Sequence, residues 1–163
     1  MNIILLSGGS GKRLWPLSND IRSKQFIKLF KDDNGNYESM VQRVYRQITT
    51  VNPMVKVTVA TSKNQVSVIK SQLGEKINIC VEPSRRDTFP AILLAAAYIH
   101  YELGIGVEEC IAVCPVDPYV DNDYYKCVGE LENLVEAGTA NLTLMGIKPT
   151  YPSDKYGYII PDC

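Results

Sequence analysis

Asn2-Ile-Ile-Leu-Leu-Ser-Gly-Gly-Ser-Gly-Lys-Arg13 is the stretch that decides the fold. Its first half is a continuous apolar run rather than a strict alternation. That pattern marks a strand covered on both faces, as in a parallel sheet. Its second half ends the strand on Gly8, Gly9 and Gly11, with Lys12 and Arg13 beside them. Glycines at the carboxyl end of a first parallel strand let backbone N–H groups approach an anion. In an open α/β sheet, ligands bind beyond those strand ends. A tight turn with solvated basic side chains has the same composition; a glycine turn alone favours that plainer reading, and Arg13 at the end of the first strand brings the two level. Two well-known phosphate loops do not fit. GxxxxGK[ST] needs Gly at position 6 and Ser or Thr at 13, where Leu6 and Arg13 stand; GxGxxG started at Gly9 meets Leu14 in its third place.

Outward from this segment, short β-branched runs recur at residues 56–61, 77–82, 110–116 and 142–147, each predicting a strand. Helical stretches lie between them. Residues 38–49 place Met40, Val44 and Ile48 on one face. Residues 65–73 form a shorter candidate. Residues 90–103 begin with Pro90 in a first turn and are apolar almost all round. Residues 121–137 carry Val128, Leu131, Leu134 and Val135, with Gly138 as the stop. The alternation predicts an α/β fold: a Rossmann-like open, mostly parallel sheet with helices on both faces. Residues 156–160 read as one more strand, three residues before Cys163. A fold rarely closes just after opening a strand, so residues 1–163 are expected to be one part of a larger domain.

Composition narrows the classes. The chain is 45% apolar and 21% charged with a net charge of −1, which excludes a disordered chain and gives no reason to expect nucleic acid. The longest apolar stretch is nine residues, against about 20 for a membrane span. Residues 1–7 carry no basic segment, so no secretory leader is expected. Residues 1–46 carry a charge of +4 and the remainder −5, which suggests an anionic ligand near the N-terminus as readily as chance asymmetry. The five cysteines, Cys80, Cys110, Cys114, Cys127 and Cys163, form no CxxC pair, and His100 is the single histidine. No structural zinc site is expected. Cys80, Cys110 and Cys114 sit in apolar runs and predict buried thiols in a reducing, cytoplasmic compartment.

Gly8-Gly-Ser-Gly-Lys-Arg-Leu-Trp-Pro-Leu-Ser18 followed by Ser23-Lys-Gln-Phe26 resembles the signature of sugar-1-phosphate nucleotidyltransferases, most of all the mannose-1-phosphate guanylyltransferase branch. Three further segments match in order: Glu82-Pro-Ser-Arg-Arg-Asp-Thr-Phe-Pro-Ala-Ile92, Pro115-Val-Asp117, and Gly146-Ile-Lys-Pro-Thr150 with Tyr156-Gly-Tyr-Ile159. The resemblance implies transfer of GMP from GTP to mannose-1-phosphate, with Mg²⁺ as cofactor. It further implies that residues 1–163 are the N-terminal nucleotide-binding part, with little activity alone, and it leaves room for a homodimer. Arg13 and Lys24 would act on the triphosphate, and Asp117 would be both catalytic and the metal ligand. Leu6, Gly8, Gly9, Gly11, Lys12, Glu82, Pro83, Arg86, Asp87 and Thr88 would line the nucleotide, and Gly157 the sugar. Two departures stand out: Pro118 replaces the family's frequent His, and Asp87 its common Asn.

Without the resemblance, the same residues have plainer roles. Lys24 is an ordinary surface lysine, Asp117-Pro118 a strand-end turn, and Tyr156 and Tyr158 mere β formers. Asp87 or Thr88 caps the following helix as readily as a carboxylate accepts from guanine. Asp121 and Asp123 complement a helix dipole, and His100 is a packed structural residue. The competing functions are a nucleotidyltransferase for another nucleotide or hexose phosphate, and a non-catalytic nucleotide-sensing domain of the same fold.

Overall fold

Residues 1–9, 18, 23–154 and 157–160 are described by the computed structural model of the chain. In chain order the elements are β1 (Asn2–Leu6), β2 (Lys28–Lys31), β3 (Tyr37–Ser39), α1 (Met40–Val51), β4 (Lys56–Ser62), α2 (Val66–Leu73), β5 (Asn78–Glu82), α3 (Thr88–Tyr101), β6 (Ile111–Pro115) and α4 (Asn122–Glu136). β5, β4, β1 and β6 form one parallel sheet in that order.

β1 and β4 have the two-sided burial that their continuity predicts, whereas β6 leaves Ile111 and Val113 exposed and β5 leaves Val81 exposed. Ile3, Leu5, Val57, Val59 and Cys114 face one core, filled by Met40, Val41, Val44 and Ile48 of α1, Ile69 of α2, and Tyr125 and Val128 of α4. Ile4, Ala60 and Cys80 face the other, under Ala95 and Ile99 of α3. Successive residues of β1 point to opposite faces, and each face meets a helix, so no polar alternation is tolerated. On α4 the buried residues are Tyr125 and Val128, whereas Leu134 is 45% exposed.

Two expectations need correction. Residues 142–147 form no strand, and Leu142, Leu144 and Ile147 are exposed. A strand exists through its ladder partner, and β6 ends the sheet with no neighbour on its outer side among the described residues. Residues 157–160 are likewise not a strand. There the Tyr158 hydroxyl accepts from Ser153 N at 2.7 Å and donates to Ser153 O at 3.1 Å. Tyr156 lies outside the described residues. Conversely, the antiparallel pair β2/β3 was not expected. Its signal was the Asn34-Gly35 dipeptide: Gly35 has φ +82°, and the Asp32 carboxylate accepts from Asn34 N and Asn36 N.

Candidate active site

Register brings the loops to one edge. Leu6, the last residue of β1, pairs with both Ala60 and Pro115, and Ser62 pairs with Glu82. The segments that follow β1, β5 and β6 therefore leave the sheet on its carboxyl side. β1 has β4 on one flank and β6 on the other, so the winding reverses between β1 and β6. Open α/β sheets bind ligands at that crevice. Residues 7–9 stand on one side of it and Asp117 on the other.

Lys24 spans the crevice: its Nζ lies 3.0 Å from Asp117 Oδ1, with side chains 37% and 56% exposed. So exposed a pair contributes only about 0–1 kcal/mol to stability. It presents two opposite charges to solvent rather than holding the fold together. The backbone around Lys24, by contrast, is pinned. Ser23 Oγ donates to Gly9 O at 2.9 Å, and Gln25 Nε2 donates to Ser7 O at 2.6 Å and Ser7 Oγ at 2.9 Å. Gln72 Nε2 donates to Phe26 O at 2.9 Å, and the Phe26 ring is buried in the core. The loop bearing Asp117 is anchored one turn on, where Gln47 Nε2 and Arg43 Nη2 donate to Val120 O and the Arg43 guanidinium stacks on Tyr119.

Glu82 reaches across β4 to the glycine turn. A Cβ placed on Gly8 would sit 3.0 Å from Glu82 Oε1, so position 8 accepts glycine while that carboxylate stays in place. Asp87 is the N-cap of α3: its carboxylate accepts from Thr88 N at 3.1 Å, which is the capping role. It does so at φ 71°, ψ −171°, a region otherwise almost confined to glycine. Pro83, Arg86 and Thr88 are exposed after β5. Among the described residues none of the three makes a hydrogen bond or ion pair to residues 7–9, Lys24 or Asp117; Arg86 Nε lies 3.4 Å from Ser84 Oγ. Gly157 is exposed, and Gly11, Lys12 and Arg13 lie outside the described residues.

Two of the thiols, Cys80 and Cys114, are buried in the core. Burial pushes Cys114, three residues before Asp117, up to about 11, and raises Cys80 as well. Cys110 is half-buried rather than buried, Cys127 is exposed, and Cys163 is outside the described residues. Cys110, Glu132 and Glu136 bring ligand atoms within 4.8 Å of one another, but at the amino edge of the sheet, away from the crevice. His100 is the packed residue its neighbours implied: its Nδ1 is 2.8 Å from Ile105 O and its ring meets Tyr101 edge-on.

Sequence reasoning assigned no role to Gln25, Gln65, Gln72, Arg43 or Gln47. Gln25 lies within the Ser23-Lys-Gln-Phe26 segment, but nothing local marks the other four, and each of the five acts through a partner that the fold supplies.

A family model described as Nucleotidyl transferase matches residues 2–163. The chain belongs to the nucleotidyl transferase family. A mannose-1-phosphate guanylyltransferase of Escherichia coli is 34% identical to this nucleotidyl transferase over 160 residues, 96% of this chain and 33% of the relative. One from Sinorhizobium fredii is 32% identical over 158 residues, 95% of this chain and 30% of the relative. A solved structure described as mannose-1-phosphate geranyltransferase from Thermus thermophilus superposes with a TM-score of 0.63 at 28% identity. It covers 83% of this chain and 37% of that one. The nucleotidyl transferase chain thus spans about a third of the length of these curated relatives. None of its described helices is long and apolar enough to cross a membrane.

Proposed function

We propose that the crevice binds GTP with Mg²⁺ and serves the transfer of GMP to mannose-1-phosphate, giving GDP-mannose and pyrophosphate. The observation that carries this reading is the Lys24–Asp117 contact at 3.0 Å beside residues 7–9. The names of the relatives support the choice of guanine and mannose.

The donor set fits a hard cation. Mg²⁺ takes one or two carboxylates and completes its shell with phosphate oxygens and water, and Asp117 offers an exposed carboxylate at the crevice. When bound, the ion would neutralise charge on the phosphates. Asp117 would hold it, which requires Lys24 to exchange Asp117 for a phosphate oxygen. The Gly8, Gly9 and Gly11 amides, Lys12 and Arg13 would complete the anion cradle. Glu82 or Asp87 would accept from guanine N1–H and its amine. Leu6, Pro83, Arg86 and Thr88 would border the nucleoside, and Gly157 the sugar.

In the step itself, a phosphate oxygen of mannose-1-phosphate forms a bond to the α-phosphorus of GTP. The bond from that phosphorus to the β-bridging oxygen breaks, and the electron pair leaves with pyrophosphate. No side chain need act as nucleophile, so alignment and charge stabilisation carry the catalysis.

The test is thermal denaturation with Mg²⁺ and each of GTP, ATP, CTP and UTP. At a hundredfold excess over Kd, the preferred nucleotide stabilises by about 2.7 kcal/mol, roughly 5–10 °C in a chain of this size. GTP should give that shift, and Asp117→Asn should remove it while leaving the ligand-free midpoint almost unmoved. Equal shifts from all four would overturn the guanine assignment, and no shift from any would overturn the site. We further propose that the 163 residues bind without efficient turnover; rapid pyrophosphate release would refute that. The sensing-domain reading rests on Pro118 and gains if Asp117→Ala in a longer form of the protein leaves its activity unchanged.

A further inference from the structure

Gln65 belongs to none of the motifs above, yet it is fully buried. It closes the 3₁₀ turn Lys63–Gln65 that follows β4. Its Oε1 accepts from Thr61 Oγ1 at 2.8 Å, and its Nε2 donates to Ser23 Oγ at 2.7 Å. The same Nε2 lies 3.4 Å from Gly9 O, to which Ser23 Oγ donates at 2.9 Å. The donors run in one direction, from Thr61 through Gln65 and Ser23 to the Gly9 carbonyl. Thr61, Gln65 and Ser23 are all fully buried. A neutral amide can accept at one end and donate at the other without bringing charge into the interior. A satisfied buried network of this kind selects one arrangement of its members, because each alternative strands a polar group away from water.

The relay ends on both sides of the crevice machinery. Gly9 is in the turn after β1, and Ser23 immediately precedes Lys24. Gln25, on the other side of Lys24, is bonded to Ser7 of the same turn. We propose that Gln65 is a positioning residue: it fixes the glycine turn and Lys24 relative to one another, and so sets where the Lys24 ammonium stands with respect to a bound triphosphate. It acts through Ser23 and Gly9 and touches no ligand. The proposal rests on the crevice being a magnesium-nucleotide site.

Gln65→Met keeps the side-chain length and removes both polar ends. Two measurements on the folded variant decide the matter. The first, made without ligand, is the rate of Lys24 acylation by mass spectrometry, relative to Lys63 and Lys70. The second is the affinity for Mg²⁺–GTP. Release of Lys24 from its held position should raise the acylation ratio at least threefold and weaken Mg²⁺–GTP binding at least tenfold. Should Gln65→Met not fold, Ser23→Ala interrupts the same relay at one hydroxyl and carries the same expectations. An unchanged acylation ratio overturns the proposal, as does a raised ratio with unchanged nucleotide affinity. If the unsubstituted chain binds no magnesium nucleotide, the proposed function fails, and the acylation ratio still decides whether Gln65 places Lys24.

Discussion

Asp87 holds the positive φ found among the described non-glycine residues, and it does so while capping α3. Its backbone region costs about 1–3 kcal/mol for a residue with a side chain. Glycine relieves that strain and loses only a few tenths as a cap, though it also frees the unfolded chain. Asp87→Gly is therefore expected to raise the thermal midpoint by about 2–4 °C, and Asp87→Ala, which keeps the strain and loses the cap, to lower it. If Asp87 also faces the base, the glycine variant will be more stable and bind Mg²⁺–GTP less well. Calorimetry and a binding titration on one preparation separate the two effects. At this scale the sequence offered capping and base contact as equals. The structure supplies the cap and adds the strain, which no local pattern announces.

Among the elements, α1 has the most defined start. Ser39 Oγ accepts from Gln42 N, and Gln42 Oε1 accepts from Ser39 N, closing a capping box. The same hydroxyl donates to Gln72 Oε1 at 2.6 Å, and Gln72 in turn holds Phe26 O. Ser39→Ala removes the cap and leaves an amide oxygen of α2 short of a partner. A loss of about 2–3 kcal/mol in urea unfolding is expected, above the typical cap effect alone. α1 also carries Arg43 and Gln47, which anchor the Asp117 loop, and Arg46, which with Arg43 pairs the buried Glu38. Damage at its start should therefore reach the crevice as a weaker magnesium-nucleotide shift.

For the molecule as a whole, the buried acids under β6 are expected to contribute to a loss of stability at alkaline pH. Burial pushes the Cys114 thiol up to about 11 and the Tyr125 hydroxyl up as well. A group whose proton is held more tightly when folded contributes its full stability below its unfolded pKa. That contribution falls away as pH rises towards the folded value. For Cys114 the window runs from the ordinary thiol value of 9.0 to about 11. The thermal midpoint should thus decline between pH 9 and pH 11, and Cys114→Ala should flatten the decline. In the same native state, a thiol reagent at pH 8 should label the exposed Cys127 well before Cys80 or Cys114.

What the sequence determined by itself was whatever depends on neighbours along the chain. Apolar runs without alternation marked the four strands of the parallel sheet, and in β1 and β4 the cause is packing on both faces, although β6 carries the same run with Ile111 and Val113 exposed. Helix positions followed from apolar spacing at Met40, Val44 and Ile48, and the glycine turn followed directly from β1. The same apolar signal at residues 142–147 produced no strand, since a ladder partner lies elsewhere in the chain and is not encoded in the run. Tertiary structure alone decided that β1 sits between β4 and β6. That order sets Asp117 against Lys24, 93 positions earlier in the sequence, and ties Gln65 to Gly9. Strand order and register come from the summed burial of whole faces, a non-local free energy that no short window of residues contains.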